Sequence, residues 1–108
     1  SRSSAASDVY KRQIRVIARD SDIAFRFGGD EFLILLGNTD SKGAAAVAER
    51  LRKRVESLRF GENASNSFTI SLGSAVLNKE ETPSALILRA DQALYRAKTT
   101  GRNCSVLA

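Results

Sequence analysis

The 108-residue sequence contains no histidine and a single cysteine, Cys104. Without histidine there is no imidazole for acid–base work and no imidazole metal ligand. One cysteine excludes an internal disulfide framework. A metal held by such a chain must take its ligands from carboxylates and carbonyls, which selects hard cations such as magnesium, calcium or manganese. No apolar run approaches the roughly 18 residues needed to cross a bilayer. No short apolar stretch follows a basic start in the manner of a secretory signal. Aromatic residues make up only 6% of the chain, and proline occurs once. What is present is a hydrophobic fraction of 43%, too high for a wholly disordered chain. The length gives room for one domain.

Lysine and arginine number 17 against 12 acids, a net charge of +5. A basic balance raises the possibility of a nucleic-acid partner. Position matters more than the total. Residues 1–13 carry Arg2, Lys11 and Arg12 against Asp8, leaving +3 for the remaining 95 residues. That segment is rich in serine and alanine and has no periodicity. Residues 3–13 also resemble the codon-by-codon translation of a transposase sequencing adaptor. The expectation is therefore a non-native tail over 1–13 and, after it, the C-terminal part of a larger domain over 14–108. With that charge set aside, and with so few aromatics, no platform of arginine and aromatic side chains for nucleic acid is visible.

Along the chain, residues 14–19 read as the last turn of a helix, with Ile14 and Ile17 on one side. Asp20-Ser21-Asp22 is a turn cluster. Residues 23–27 and 32–36 are short strand-like runs with Gly28-Gly29 between them, as in a tight hairpin. The unbroken apolar run Phe32-Leu33-Ile34-Leu35-Leu36 predicts a central strand buried on both faces. Residues 43–58 predict a helix, capped by Asp40 or Ser41, with the apolar stripe Ala44, Val47, Ala48, Leu51, Val55 and Leu58. Glu49, Arg50, Arg52, Lys53, Arg54 and Glu56 fill its solvated side. Residues 68–77 predict a strand, and 83–100 a helix with Thr82 as cap, Pro83 in the first turn and Gly101 as stop. Leu86, Ile87, Ala90, Leu94 and Ala97 are its buried stripe. A last short strand is expected over 103–107. The fold class is α/β in the broad sense (α+β): a central sheet containing antiparallel strands, with helices packed on it.

Three groups of residues could carry chemistry. The densest is Arg26-Phe27-Gly28-Gly29-Asp30-Glu31-Phe32. Two glycines allow close backbone approach to a ligand. The two carboxylates could hold a divalent ion that bridges phosphates, or accept a proton. On spacing alone, such a segment is a solvated hairpin tip in most proteins. The second group is Lys98 and Arg102, four apart where the last helix ends. They could neutralise a phosphate chain, or serve only as cations at a helix C-terminus. The third is Arg19-x-x-Asp22, which could bind a base edge or phosphate, or form a local surface ion pair.

The first group resembles the signature of the GGDEF family, the diguanylate cyclases. Two further blocks in the family order join it: Thr69-Ile70-Ser71-Leu72-Gly73, and Ala90-Asp91-Gln92-Ala93-Leu94-Tyr95-Arg96-Ala97-Lys98-Thr99-Thr100-Gly101-Arg102-Asn103. The resemblance implies a nucleotide-cyclase-like fold, N-terminally truncated, in a cytoplasmic domain. It implies condensation of two GTP molecules into cyclic di-GMP, with release of pyrophosphate, by two facing domains that form a homodimer. By the same resemblance, Gly28 and Gly29 lie against the nucleotide, and Asp30 is a metal ligand. Glu31 supports the metal, Mg2+ or Mn2+, and helps deprotonate the attacking 3′-hydroxyl. Lys98 and Arg102 bind phosphate. Arg19 and Asp22 form the RxxD inhibitory site for the product.

The departures from the family pattern matter as much. An earlier metal-binding aspartate, and a downstream asparagine and aspartate that read guanine, have no counterpart in this chain. Metal affinity is therefore expected to be weak, and the chain taken alone inactive, although the parent protein would be a competent cyclase. The resemblance also implies an upstream sensory domain and allows membrane tethering of the parent. The alternative is a catalytically inactive module that binds cyclic di-GMP through Arg19 and Asp22. The intact Gly28-Gly29-Asp30-Glu31-Phe32 argues against it.

Overall fold

The computed structural model describes residues 12, 23–26, 32–59 and 61–108. The chain divides into two compact units, Ser1–Asn38 and Thr39–Ala108.

In the first unit, β1 (Ile23–Arg26) pairs antiparallel with β2 (Phe32–Leu35). The register sets Ile23 opposite Leu35, Ala24 opposite Ile34, Phe25 opposite Leu33 and Arg26 opposite Phe32. The expected hairpin is present, with residues 27–31 as its connector. Leu33 and Ile34, on opposite faces of the strand, are both half-buried. Leu35 remains 43% exposed, so β2 is not sealed on both faces as its apolar run predicts. Among the described residues its sheet has two strands. The expected helix end over 14–19 lies outside the described residues.

The second unit contains α1 (Ser41–Ser57), a 3-10 turn (Glu62–Ala64), β3 (Leu72–Ser74), α2 (Pro83–Thr99) and β4 (Ser105–Leu107). Asp40 caps α1 by accepting the Gly43 N–H at 2.8 Å. Thr82 caps α2 by accepting the Ala85 N–H at 3.1 Å, and Pro83 occupies the first turn, where no N–H is missed. α1 begins two residues before the expected 43, with Asp40 rather than Ser41 as its cap, and the α2 start follows the sequence reading. The 3-10 turn does not: the expected polar loop tightens around Asn63 and Ala64, both at positive φ.

β3 and β4 pair in parallel, Leu72 opposite Ser105, Gly73 opposite Val106 and Ser74 opposite Leu107. Leu72 N–H donates to the Cys104 carbonyl, and Ala108 N–H to the Ser74 carbonyl. Parallel strands need a crossover, and α2 supplies it, packing against both strands. The predicted strand over 68–77 shrinks to three residues: among the described residues, the ladder with β4 spans 72–74. β4 likewise begins at Ser105 rather than 103.

The core of this unit is small-grained. Ala44, Ala48, Leu51 and Val55 of α1 and Ala93 and Ala97 of α2 are buried. α1 also packs on β3 and β4. Of the stripe predicted for α2, Ala97 is fully buried while Leu86, Ile87, Ala90 and Leu94 are half-buried. Ala93, outside that stripe, is fully buried. Gly73 shows how closely this helix lies on the strand. A Cβ there would fall against the amide nitrogen of Leu94 and the carbonyl oxygen of Ala90, and 2.7 Å from Leu94 Cα. The backbones of β3 and α2 approach so closely that only glycine fits on the strand, and alanine suits the facing helix.

Candidate active site

Gly28, Gly29, Asp30 and Glu31 belong to the connector between β1 and β2, and they lie outside the described residues. So do Arg19 and Asp22 upstream of β1. What is described is the frame on either side of the connector. In an antiparallel ladder, directly paired residues are about 5 Å apart. The Arg26–Phe32 pair therefore brings the two strand ends that flank the five-residue segment close together.

Lys98 and Arg102 are described, in the second unit. Lys98 is half-buried in the last turn of α2. Arg102 lies past the helix end. Gly101 turns the chain at φ +124°, and the Arg102 N–H donates back to the Ala97 carbonyl at 3.0 Å. This is the 6→1 closure of a helix C-terminus. Spacing of four therefore does not mean two rungs of one helix here: Lys98 sits on the helix and Arg102 on the turn that stops it. The Arg102 side chain is exposed. Its cation and that of Lys98 stand at the end where the helix dipole is negative.

Beside Arg102 lies a group of side chains that the sequence reading assigned to solvent. Arg52 of α1 donates from Nη1 to Asn103 Oδ1 at 2.9 Å. From Nε it donates to both carboxylate oxygens of Glu49, at 3.1 and 3.0 Å. Glu56 accepts from Asn103 Nδ2 and lies 3.4 Å from Arg52 Nη1. The Arg52 side chain is only 14% exposed, which corrects its placement on a solvated face. The physical reason is the length of arginine: its stem lies along the helix while the fork reaches a neighbouring turn. Hydrogen bonding to Arg52 holds the Glu49 carboxyl below its ordinary value. The sequence signal was acids three before and four after one arginine, a spacing that converges on a single guanidinium.

Among the described residues, no cluster of three or more carboxylates, cysteines or histidines could hold a metal. The donor chemistry of the connector still fits a hard ion, since Asp30 and Glu31 offer only oxygen and the chain has no imidazole.

The family model described as "Diguanylate cyclase, GGDEF domain" matches residues 9–104. The chain belongs to the GGDEF family. The match begins inside the 1–13 segment and runs through all three blocks that carry the resemblance. Diguanylate cyclase A of Treponema denticola is 41% identical over 106 residues, covering 92% of this chain and 28% of that protein. The active GGEEF domain of a diguanylate cyclase from Vibrio cholerae superposes with a TM-score of 0.88 at 30% identity, over 96% of this chain and 67% of that one. The GGDEF domain of DgcB from Caulobacter crescentus, solved in complex with c-di-GMP, also reaches 0.88, at 26% identity and over 95% and 63% of the two chains. The expected α+β GGDEF fold is therefore the fold observed. The chain spans 28% or less of the length of the curated relatives it matches. Among the described residues no helix is long and apolar enough to cross a membrane.

Proposed function

We propose that this GGDEF domain serves the synthesis of cyclic di-GMP from two GTP molecules. The observation that carries the reading is the intact Gly28-Gly29-Asp30-Glu31 sequence between two strands whose antiparallel pairing runs to Arg26 and Phe32. Gly28 and Gly29 lie against the nucleotide. Asp30 and Glu31 hold a magnesium or manganese ion, which when bound supplies charge neutralisation at the phosphates. Lys98 and Arg102 neutralise the phosphate chain.

In the reaction, the 3′-hydroxyl oxygen of one GTP forms a bond to the α-phosphorus of the GTP on a second, facing domain. Its proton passes to Glu31. The bond from that phosphorus to the pyrophosphate oxygen breaks, and pyrophosphate leaves with the electron pair. The same exchange with roles reversed closes the ring. Positioning and charge neutralisation carry most of the acceleration in such transfers. Arg19 and Asp22 form the inhibitory site for the product. The chain by itself is proposed to bind GTP weakly and turn it over little. Residues 1–13 are proposed to take no part.

The test incubates the chain with GTP and Mg2+. Binding is followed by calorimetry and product by chromatography. Expected are magnesium-dependent GTP binding that is lost in Asp30→Asn, and only traces of cyclic di-GMP. Binding indifferent to Asp30 and to magnesium refutes the site. Vigorous turnover instead refutes the clause on weak activity while supporting the cyclase reading.

A further inference from the structure

Three successive residues after α2 have left-handed backbone: Gly101 at φ +124°, Arg102 at +59° and Asn103 at +46°. For glycine this costs nothing. For arginine and asparagine it is strained, and it persists only where the surroundings impose it. Two constraints do so. One is the Arg102 N–H bonded to the Ala97 carbonyl. The other is the Asn103 carboxamide, gripped on both ends by α1: its Oδ1 accepts from Arg52 and its Nδ2 donates to Glu56. That orientation is the one chemistry allows, because a guanidinium can only donate and a carboxylate can only accept.

Arg52 is itself fixed. Glu49 takes its Nε and Nη2 hydrogens, and the remaining Nη1 prong points to Asn103, 51 positions away in the chain. The result is a rigid link from the middle of α1 to the residue after Arg102. The Arg102 side chain extends into solvent from this turn. We propose that Arg52 is a positioning residue for Arg102, acting through Asn103, so that α1 as well as α2 sets the point from which Arg102 reaches a nucleotide phosphate. This rests on the reading that Arg102 binds phosphate. Lysine could not replace Arg52, since a single ammonium cannot serve Glu49 and Asn103 in one plane.

The experiment has two arms, both on the full chain. Amide hydrogen exchange reads the turn directly. Arg52→Ala is expected to speed exchange of the Arg102 N–H about tenfold or more, while the Leu86 N–H, bonded to the Thr82 carbonyl at the far end of α2, keeps its protection. Titration with GTP and Mg2+ reads the consequence. Arg52→Ala is expected to weaken binding about fivefold in the native background and not at all in an Arg102→Ala background, the signature of two residues acting as one. Arg52→Lys should behave like Arg52→Ala. If Arg52→Ala does not fold, Asn103→Gly removes the same link while leaving the Glu49–Arg52 pair and tolerating the left-handed backbone. An unchanged Arg102 exchange rate, or an equal loss of binding in both backgrounds, overturns the positioning role. Arg102→Ala without effect on GTP binding overturns the phosphate reading and this inference with it.

Discussion

Glu81 and Arg89 meet through two parallel hydrogen bonds, Nε to Oε2 and Nη2 to Oε1, each 2.7 Å long. The pair ties the loop after β3 to the second turn of α2, and the same guanidinium also donates to the Val76 carbonyl. Glu81 accepts the Asn78 N–H as well, at 3.0 Å, and its side chain is only 10% exposed. These contacts, Arg89 foremost, hold its carboxyl down from 4.5 to about 2.

A depressed carboxyl stabilises the fold in its ionised form. The contribution of Glu81 is complete above its unfolded value near 4.5 and is lost as the pH falls toward about 2. Thermal melts of the native chain between pH 7 and pH 2.5 should show a fall in Tm through this window. Glu81→Gln should start lower at pH 7 and fall less. Parallel decline in the two proteins would exclude the pair as its source.

Gly73→Ala should be among the most damaging single substitutions available. The added methyl meets the Leu94 and Ala90 backbone of α2, which cannot yield as a flexible side chain would. Overpacking of this kind costs about 1–3 kcal/mol and more where backbone must move. Denaturant titration should find a loss at the upper end of that range or beyond. Gly101→Ala meets no such obstacle and should cost less, through its positive φ alone.

The helix caps should each be worth about 1 kcal/mol. Asp40→Ala and Thr82→Ala remove the side-chain acceptors of the Gly43 and Ala85 N–H groups. Each should lower Tm by about 4–8 °C in a domain of this size. Asp40→Asn, which keeps an acceptor oxygen, should lower it much less. Ala substitution at Asp91, exposed in mid-α2, serves as the neutral control.

Chelation should separate the metal-dependent part of nucleotide binding from the rest. Under the proposed function, EDTA should abolish GTP binding to the native chain to the same extent as Asp30→Asn, and should add nothing to that variant. A lasting response of Asp30→Asn to EDTA would place the ion elsewhere.

Much of this architecture was legible before any coordinates. The starts of α1 and α2 follow from one acceptor side chain each, Asp40 and Thr82, placed before an apolar period of three to four, and the end of α2 from Gly101. The hairpin follows from two apolar runs around a glycine pair. Harder to read were features created only by packing. The strand over 68–77 looks long because Phe68, Ile70 and Leu72 alternate with Thr69 and Ser71. Ladder length depends on a partner, and β4 offers three residues. Ala93 falls outside the most apolar stripe of its helix, yet it is completely buried. Arg52 reads as solvated because charge alone predicts exposure, and its partner Asn103 lies 51 positions away. The site itself was legible as three blocks of sequence. Among its predicted residues the described structure contains Lys98 and Arg102, one on the last turn of α2 and the other on the turn that closes it, as the stop expected at Gly101 requires.

The parallel pairing of β3 with β4 also bears on how this unit assembles. Leu72 and Ser105 are 33 positions apart, and in an extended chain nothing local brings them together. Closing so long a loop is entropically unfavourable until something shortens it. Seventeen residues wound into α2 do that, at about 1.5 Å of rise each rather than about 3.3 Å extended. The helix is therefore expected to form before the strands register. Destabilising it at Thr82 should slow refolding, whereas weakening β4 at Val106 should chiefly speed unfolding. On this view the ladder is the latch of the unit rather than its foundation.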